Sequence, residues 1–325
     1  MSGDADAILK RADKKMTTTL TRWKPDFEAA ATLYEEAAGL LRARGRKRDA
    51  LLAYEKCAEA NERCDNDWHA GKHLEQCATL ARDVGADAAD VVAYAERACA
   101  SYVTSGRAQR GAECLGKIAG LLADPHPDAA ATLYETAVTM LEDEDKQIYA
   151  ADLFRSYAAV RMRQGRHADA ADVMLRFGAA CDAAGQLASQ RKAYLSAVVA
   201  MLYDGQGADA QATYRDVSDI PNFQDCDEHR VAYELIAAYR DADADAIRDA
   251  VERKHAAALE FLEPAFARAA KKLPLAKHNL RDISEAMGGD GGAAARAEGF
   301  LGGGGAGEGG EGGGGEGASD EDDLT

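Results

Sequence analysis

Proline is scarce in this chain, six residues in 325. Valine, isoleucine and threonine are thinly scattered as well. Proline would break helices, and β-branched residues would favour strands. With both in short supply and alanine abundant, the sequence reads as all-α. Long hydrophobic runs are also missing. None approaches the roughly 20 residues that cross a bilayer, and the opening stretch MSGDADAILKRADKK has no apolar core like that of a signal peptide. Any membrane contact is therefore expected to be peripheral, from the cytoplasm.

Paired-cysteine motifs are missing too. The seven cysteines (Cys57, Cys64, Cys77, Cys99, Cys114, Cys181 and Cys226) are odd in number and form no C-x-x-C. Most sit beside alanine or leucine in helical patterns, which reads as reduced, buried thiols of a cytosolic protein. Positive charge is in deficit: the formal net charge is −17. Broad nucleic-acid binding is excluded on that ground, because phosphates need basic surfaces. The charge is uneven, with −8 of it on residues 288–325.

Signatures of chemistry are equally sparse. The run LGGGGAGEGGEGGGGEG lacks the lysine and hydroxyl of a phosphate loop. No G-x-S-x-G or H-E-x-x-H occurs. His69 and His73 have ligand spacing near Cys64 and Cys77, but read more simply as residues of a helix face. The expectation is a non-enzymatic scaffold with no cofactor and no metal.

What the sequence does contain is a repeat. AATLYEEAA at residues 30–38 returns as AATLYETAV at 130–138. Steps of about twenty from Tyr34 reach Tyr54, Leu74, Tyr94, Cys114–Leu115, Tyr134, Phe154, Met174, Tyr194 and Tyr214. Small residues follow three or four places on, where the same helical face returns. Turn signals separate the anchors: Arg44-Gly45-Arg46, Asp83-Val84-Gly85, Ser105-Gly106-Arg107, Asp124 to Pro127, Gln164-Gly165-Arg166, Gly185 and Asp204-Gly205. The unit is a helix of about fifteen residues. Two units make a hairpin of about forty, longer than a tetratricopeptide hairpin, and such hairpins bury their apolar stripes only by stacking. The fold class is thus a superhelical array of tetratricopeptide-like helical hairpins over 1–220. A C-terminal helical bundle cap follows over 221–287, with helices expected at 231–240, 245–262 and 264–272. Residues 288–325, with glycine at 17 of 38 positions, read as a disordered acidic tail.

Three stretches suit a binding protein. In TLTRWKPDFEAA, Trp23 lies ahead of Pro25, where a new helix starts; it either staples the first helix to the second or offers an aromatic flanked by bases to a membrane interface. Basic clusters recur in and near turns: residues 42–48, Arg107 with Arg110, Arg161 with Arg163 and Arg166, Arg191-Lys192 and Lys271-Lys272. They are either solvated turns or, if aligned, a track for an acidic partner. The last stretch, ASDEDDLT, sets one leucine, Leu324, behind four acids, an arrangement suited to burial in a partner.

RWKPDFEAAATLYEEAAGLLRARG and SDIPNFQDCDEHRVAYELIAAYRDADADAIRDAVE resemble corresponding stretches of the soluble NSF attachment proteins, most closely their gamma form. The likeness covers roughly residues 8–287. The resemblance implies a right-handed solenoid that coats the four-helix SNARE complex, recruits the hexameric AAA+ ATPase NSF and stimulates it, with no ATPase activity of its own. It implies SNARE contacts from basic residues, here Arg107, Arg110, Arg155, Arg161, Arg163 and Arg166. Arg107 falls where the alpha form carries a base, whereas Glu113 stands near another expected one. Leu20 and Trp23 occupy the place of the alpha form's membrane-contact loop. Asp320, Glu321, Asp322, Asp323 and Leu324 match the alpha form's NSF-stimulating end, which the gamma form often lacks. A general peptide-binding helical scaffold unrelated to fusion is the alternative.

Overall fold

The structure is a computed structural model that describes residues 3–18, 23–273 and 280–289. Among the described residues every regular element is helical. The chain runs through α1 (Gly3–Lys15), α2 (Phe27–Ala43), α3 (Lys47–Glu62), α4 (Asp67–Asp83), α5 (Ala88–Thr104), α6 (Ala108–Leu122) and α7 (Pro127–Asp143). A 3₁₀ turn, Gln147–Ala150, leads into α8 (Ala151–Arg163), followed by α9 (His167–Ala183), α10 (Leu187–Asp204) and α11 (Gly207–Ser218). The all-α helical-hairpin array expected from the repeat is what the chain forms. Each twenty-residue anchor lies inside one of the helices α2 to α11.

Neighbours pack in sequence order, α2 on α3, α3 on α4 and so on to α10. The turns between them are short, so successive helices run antiparallel. One layer consists of α2, α4, α6, α8 and α10, the other of α3, α5, α7 and α9. Small residues let the helices approach: Ala37, Ala38, Cys57, Ala58, Cys77 and Ala78 are all fully buried. Most turns place a glycine in the left-handed region, as at Gly106 and Gly165. Two turns without such a glycine, between α3 and α4 and between α7 and α8, use Asp65 and Asp145 at positive φ. Aspartate tolerates that conformation better than most side chains, which is why ERCDND and EDEDK close turns without an obvious breaker.

Ion pairs stitch each layer lengthwise. In one, Lys72 meets Glu35 and Lys117 meets Glu75; in the other, Arg97 meets Glu62 and Arg176 clamps Glu135 and Glu142. Apart from the pair to the buried Glu75, these are exposed or half-exposed pairs that contribute only about 0–1 kcal/mol each, so the array stands mainly on its apolar core.

After α11 the pattern changes. A single turn, α12 (Pro221–Gln224), precedes α13 (Asp227–Arg240), α14 (Ala244–Asp249), α15 (Ala256–Glu260), α16 (Pro264–Ala270) and α17 (Leu280–Ala286). The helix expected over 245–262 is not continuous. It is interrupted by a π-turn, Ala250–Lys254, where the His255 amide donates to the Ala250 carbonyl. The wider turn brings both Lys254 and His255 to Glu234, at 2.7 and 2.8 Å. These helices gather on α10, whose residues 193–200 are buried without a break. A helix apolar on all sides is a core helix, and one core runs from Ala78 to Met287.

Candidate functional site

The described residues offer little reactive chemistry. All seven cysteines are free, and five are buried. Burial pushes the Cys57 and Cys114 thiols up to about 12, far from the thiolate form at neutral pH. His73 is buried against Tyr54, their rings 5.8 Å apart. Burial holds it below the usual histidine range, against the opposing pull of Glu35. Among the described residues no three His, Cys, Asp or Glu side chains gather as a metal site.

The antiparallel array decides where the arginines fall. Turns after α2, α4, α6, α8 and α10 lie along one edge, and turns after α3, α5, α7 and α9 along the other. Arg107 and Arg110, at the start of α6, belong to the second edge. Arg107 is exposed, with its guanidinium 4.2 Å from the Trp68 ring at the start of α4. Arg110 lies over Tyr102 and pairs with Glu75 at 2.8 Å and with Glu113 at 3.3 Å. Glu113 is thus occupied by Arg110 instead of standing as a free acid.

Arg161, Arg163 and Arg166 flank the turn after α8, on the first edge. Arg161 is largely enclosed, donating to the Tyr157 hydroxyl and to Gln164. Arg163 meets Asp124 only at 3.7 Å, and Arg166 pairs with Asp169. Arg155 sits in the first half of α8, over the Phe177 ring and 3.0 Å from Glu263. The structure therefore brings together Arg107 with Arg110, and Arg161 with Arg163 and Arg166, but keeps the two groups on opposite edges.

The N-terminal loop has a firm base. Lys15 reaches Asp26 at 2.7 Å, the Asp26 amide donates to the Lys15 carbonyl, and the Asp26 side chain caps α2 through the Ala29 amide. Trp23 is 90% exposed, so it does not staple α1 to α2. That joint is made by Tyr34, whose hydroxyl donates to Asp13 at 2.6 Å, and by a shared apolar cluster with Ala12 and Cys57. Leu20 lies outside the described residues, as do Asp320, Glu321, Asp322, Asp323 and Leu324.

A feature absent from the sequence reading is the carboxylate of Glu75. It is almost fully buried in α4, where it accepts from Tyr102, Arg110 and Lys117. An acid directly after the repeat anchor Leu74 and just ahead of Cys77 and Ala78 was its one sequence signal.

The family model described as "Soluble NSF attachment protein, SNAP" matches residues 3–253. The chain belongs to this family. It is 36% identical over 274 residues to a gamma-soluble NSF attachment protein of Arabidopsis thaliana, covering 84% of this chain and 93% of the relative. It is 24% identical over 277 residues to a gamma-soluble NSF attachment protein of Dictyostelium discoideum, covering 85% of this chain and 84% of that one. The resemblance noted in the sequence, including its leaning toward the gamma form, holds. No described helix is long and apolar enough to cross a membrane.

Proposed function

We propose that this chain is a non-catalytic adaptor that binds SNARE complexes, recruits the NSF hexamer and stimulates its ATPase for SNARE disassembly in vesicle trafficking and membrane fusion. The observation that carries this reading is the family match across residues 3–253 together with relatives named for NSF attachment. An elongated helical array supports it, since such an array can lie along a four-helix coiled coil and transmit force without performing chemistry. Within this proposal, residues 1–220 are the gripping solenoid, 221–287 a bundle facing NSF, and 288–325 a glycine-rich acidic tail that meets NSF. Arg107, Arg110, Arg155, Arg161, Arg163 and Arg166 are assigned to SNARE contact, and Asp320, Glu321, Asp322, Asp323 and Leu324 to NSF. The protein works in the cytoplasm, peripherally on endomembranes, through Leu20 and Trp23.

The test is the NSF ATPase rate and the disassembly of assembled SNARE complexes, with added intact protein or protein truncated after Ala318. Stimulation that needs the tail supports the whole assignment, and Leu324→Ala should then lower stimulation while bundle binding persists. Stimulation without the tail keeps the adaptor and removes Leu324 from it. Neither stimulation nor bundle binding would leave a peptide-binding scaffold unrelated to fusion.

The loop assignment makes its own prediction. Because Trp23 is 90% exposed, Trp23→Ala should leave the melting temperature unchanged and reduce recruitment to liposomes. A large fall in melting temperature would mean that the ring is packed in solution.

A further inference from the structure

Where the C-terminal helices meet the solenoid, a cavity of about 200 Å³ opens between the end of α8, the start of α9, the end of α10 and α16. Its lining carries three cations, Arg163, Arg268 and Lys272, together with His167 and Tyr203, and no acid. Arg268 and Lys272 are four residues apart, which places them on one side of α16 and the turn that ends it.

These cations differ from most others in the molecule. Arg97, Arg110, Arg155 and Arg176 each spend their charge on a carboxylate of another helix. Arg268 and Lys272 make no side-chain ion pair among the described residues, and Arg163 has only Asp124 at 3.7 Å, itself 92% exposed. Asp204, which ends α10 next to Tyr203, is taken by His167 at 2.7 Å and by Gln206 at 3.0 Å. Two cations without an ion pair among the described residues and a third, Arg163, held only loosely by an exposed acid repel each other around one hollow. In a chain of net charge −17, such a cluster is stabilised by an anion from outside.

We propose that this cleft is a phosphate-binding site for a phosphomonoester, free or as a lipid headgroup, with inositol phosphates as the probes of both. The hollow is smaller than the roughly 300–1,000 Å³ of pockets that enclose a drug-sized ligand, so it seats a phosphate group while the rest of the ligand stays outside. Arginine forks and a lysine ammonium are the donors that phosphate oxygens take in charge-assisted hydrogen bonds. The Tyr203 hydroxyl makes no hydrogen bond among the described residues and supplies a neutral donor. A nucleotide fits less well. The only aromatic ring besides His167 is Tyr203, met edge-on by His167 at 4.9 Å, and no apolar slot is left for a base. All the donors are carried by helices or the turns that end them, which fixes where their backbones stand around the hollow.

The test is calorimetric titration of inositol trisphosphate into the full chain, with flotation on phosphatidylcholine vesicles with and without phosphatidylinositol bisphosphate. The expected result is salt-sensitive binding that falls about tenfold or more in the double variant Arg268→Glu, Lys272→Glu, the loss of at least one charge-assisted contact. Lys271→Glu is the control. Lys271 pairs with Glu260 at 3.0 Å and lines a different hollow, so this change should leave binding intact. Both Arg268 and Lys272 are exposed, and unchanged melting curves would show that the variants fold. Binding to the soluble probe with no gain on vesicles identifies a free phosphomonoester, and stronger binding on the lipid-bearing vesicles identifies the headgroup. Failure of both probes to bind, or an equal loss in Lys271→Glu, overturns the site. Arg163 is shared with the assigned SNARE contacts and stays unchanged in these variants, and neither readout contains NSF or SNARE complexes, so the adaptor reading stands or falls separately.

Discussion

Gly178→Ala is expected to destabilise the protein by about 1–2 kcal/mol net, although alanine is the better helix former. Gly178 lies within α9, and a Cβ built there would stand 2.2, 2.5 and 2.9 Å from three ring carbons of Tyr194 on α10. No side chain tolerates such distances, so the ring or the helix must move. The ring has nowhere to go. Tyr194 is 3% exposed and meets Phe223 edge-on at 5.5 Å, while Phe223 is itself fully buried. Overpacking typically costs about 1–3 kcal/mol, occasionally more. The helix gains only about 1 kcal/mol on losing a glycine. The sign therefore follows the clash. Gly39→Ala isolates the second term. Gly39 is exposed within α2 and a Cβ there meets nothing within 4 Å, so this change should stabilise by about 0.5–1 kcal/mol. Urea unfolding of the two variants beside the parent checks both. Equal shifts of the same sign would mean that α9 and α10 are not packed as the structure places them.

That contrast also marks what could be read from the sequence. The twenty-residue step identified α2 to α11 because each helix repeats one requirement, a large anchor flanked by small residues, and periodicity records it directly. Gly39 and Gly178 look alike in sequence, each a glycine inside a helical pattern. Only the partner across the interface separates them, and a single chain read by eye does not name partners. The π-turn at 250–254 escaped for a related reason. DAIRDAVERKHAAALEFL holds no glycine or proline, and its local preference is one continuous helix. The interruption goes with a contact to α13, whose Glu234 takes both Lys254 and His255, and that partner is not visible in the local sequence.

The candidate site was legible in composition and not in geometry. Basic clusters near turns could be picked out, but whether they align depends on which edge each turn occupies. Arg107 with Arg110 and Arg163 with Arg166 are separated by an odd number of helix reversals and fall on opposite edges. Trp23 had two readings on equal chemistry, staple or exposed loop. Tyr34 and Asp13 do the stapling, which leaves the indole outside.

Glu75→Gln is expected to destabilise the protein at neutral pH and to strengthen its hold on an acidic helical bundle. The carboxylate is 5% exposed and accepts from Lys117 at 2.7 Å, Arg110 at 2.8 Å and the Tyr102 hydroxyl at 3.0 Å. Burial pushes its pKa up, but the Lys117 hydrogen bond and the charges of Lys117 and Arg110 pull harder, and the net displacement is downward. Glutamine keeps one acceptor and turns an amide donor into a site shared with two cations, where only the Tyr102 hydroxyl oxygen can accept from it. Hydrogen bonds to a charged group are worth about 1.5–3 kcal/mol. Arg110 and Lys117 remain 36% and 49% exposed, so water rehydrates them, and the loss should be about 1–3 kcal/mol rather than that of a fully buried pair. The pH dependence gives the sharper test. A carboxylate with a depressed folded pKa contributes fully above its unfolded value, about 4.3, and loses that contribution as pH falls through the folded value. The difference between parent and variant should accordingly be largest at neutral pH and shrink toward acid. A difference constant with pH would mean that Glu75 acts by shape alone. The binding gain follows from the same charges. With Glu75 neutral, Lys117 loses its carboxylate and Arg110 keeps only Glu113 at 3.3 Å, and the edge that carries Arg107 becomes more positive. Binding to assembled SNARE complexes should tighten at low salt, and the gain should fade as salt screens charges beyond about 10 Å at 0.1 M. Unchanged binding at low salt would remove Arg110 from the proposed contact surface while leaving the stability result in place.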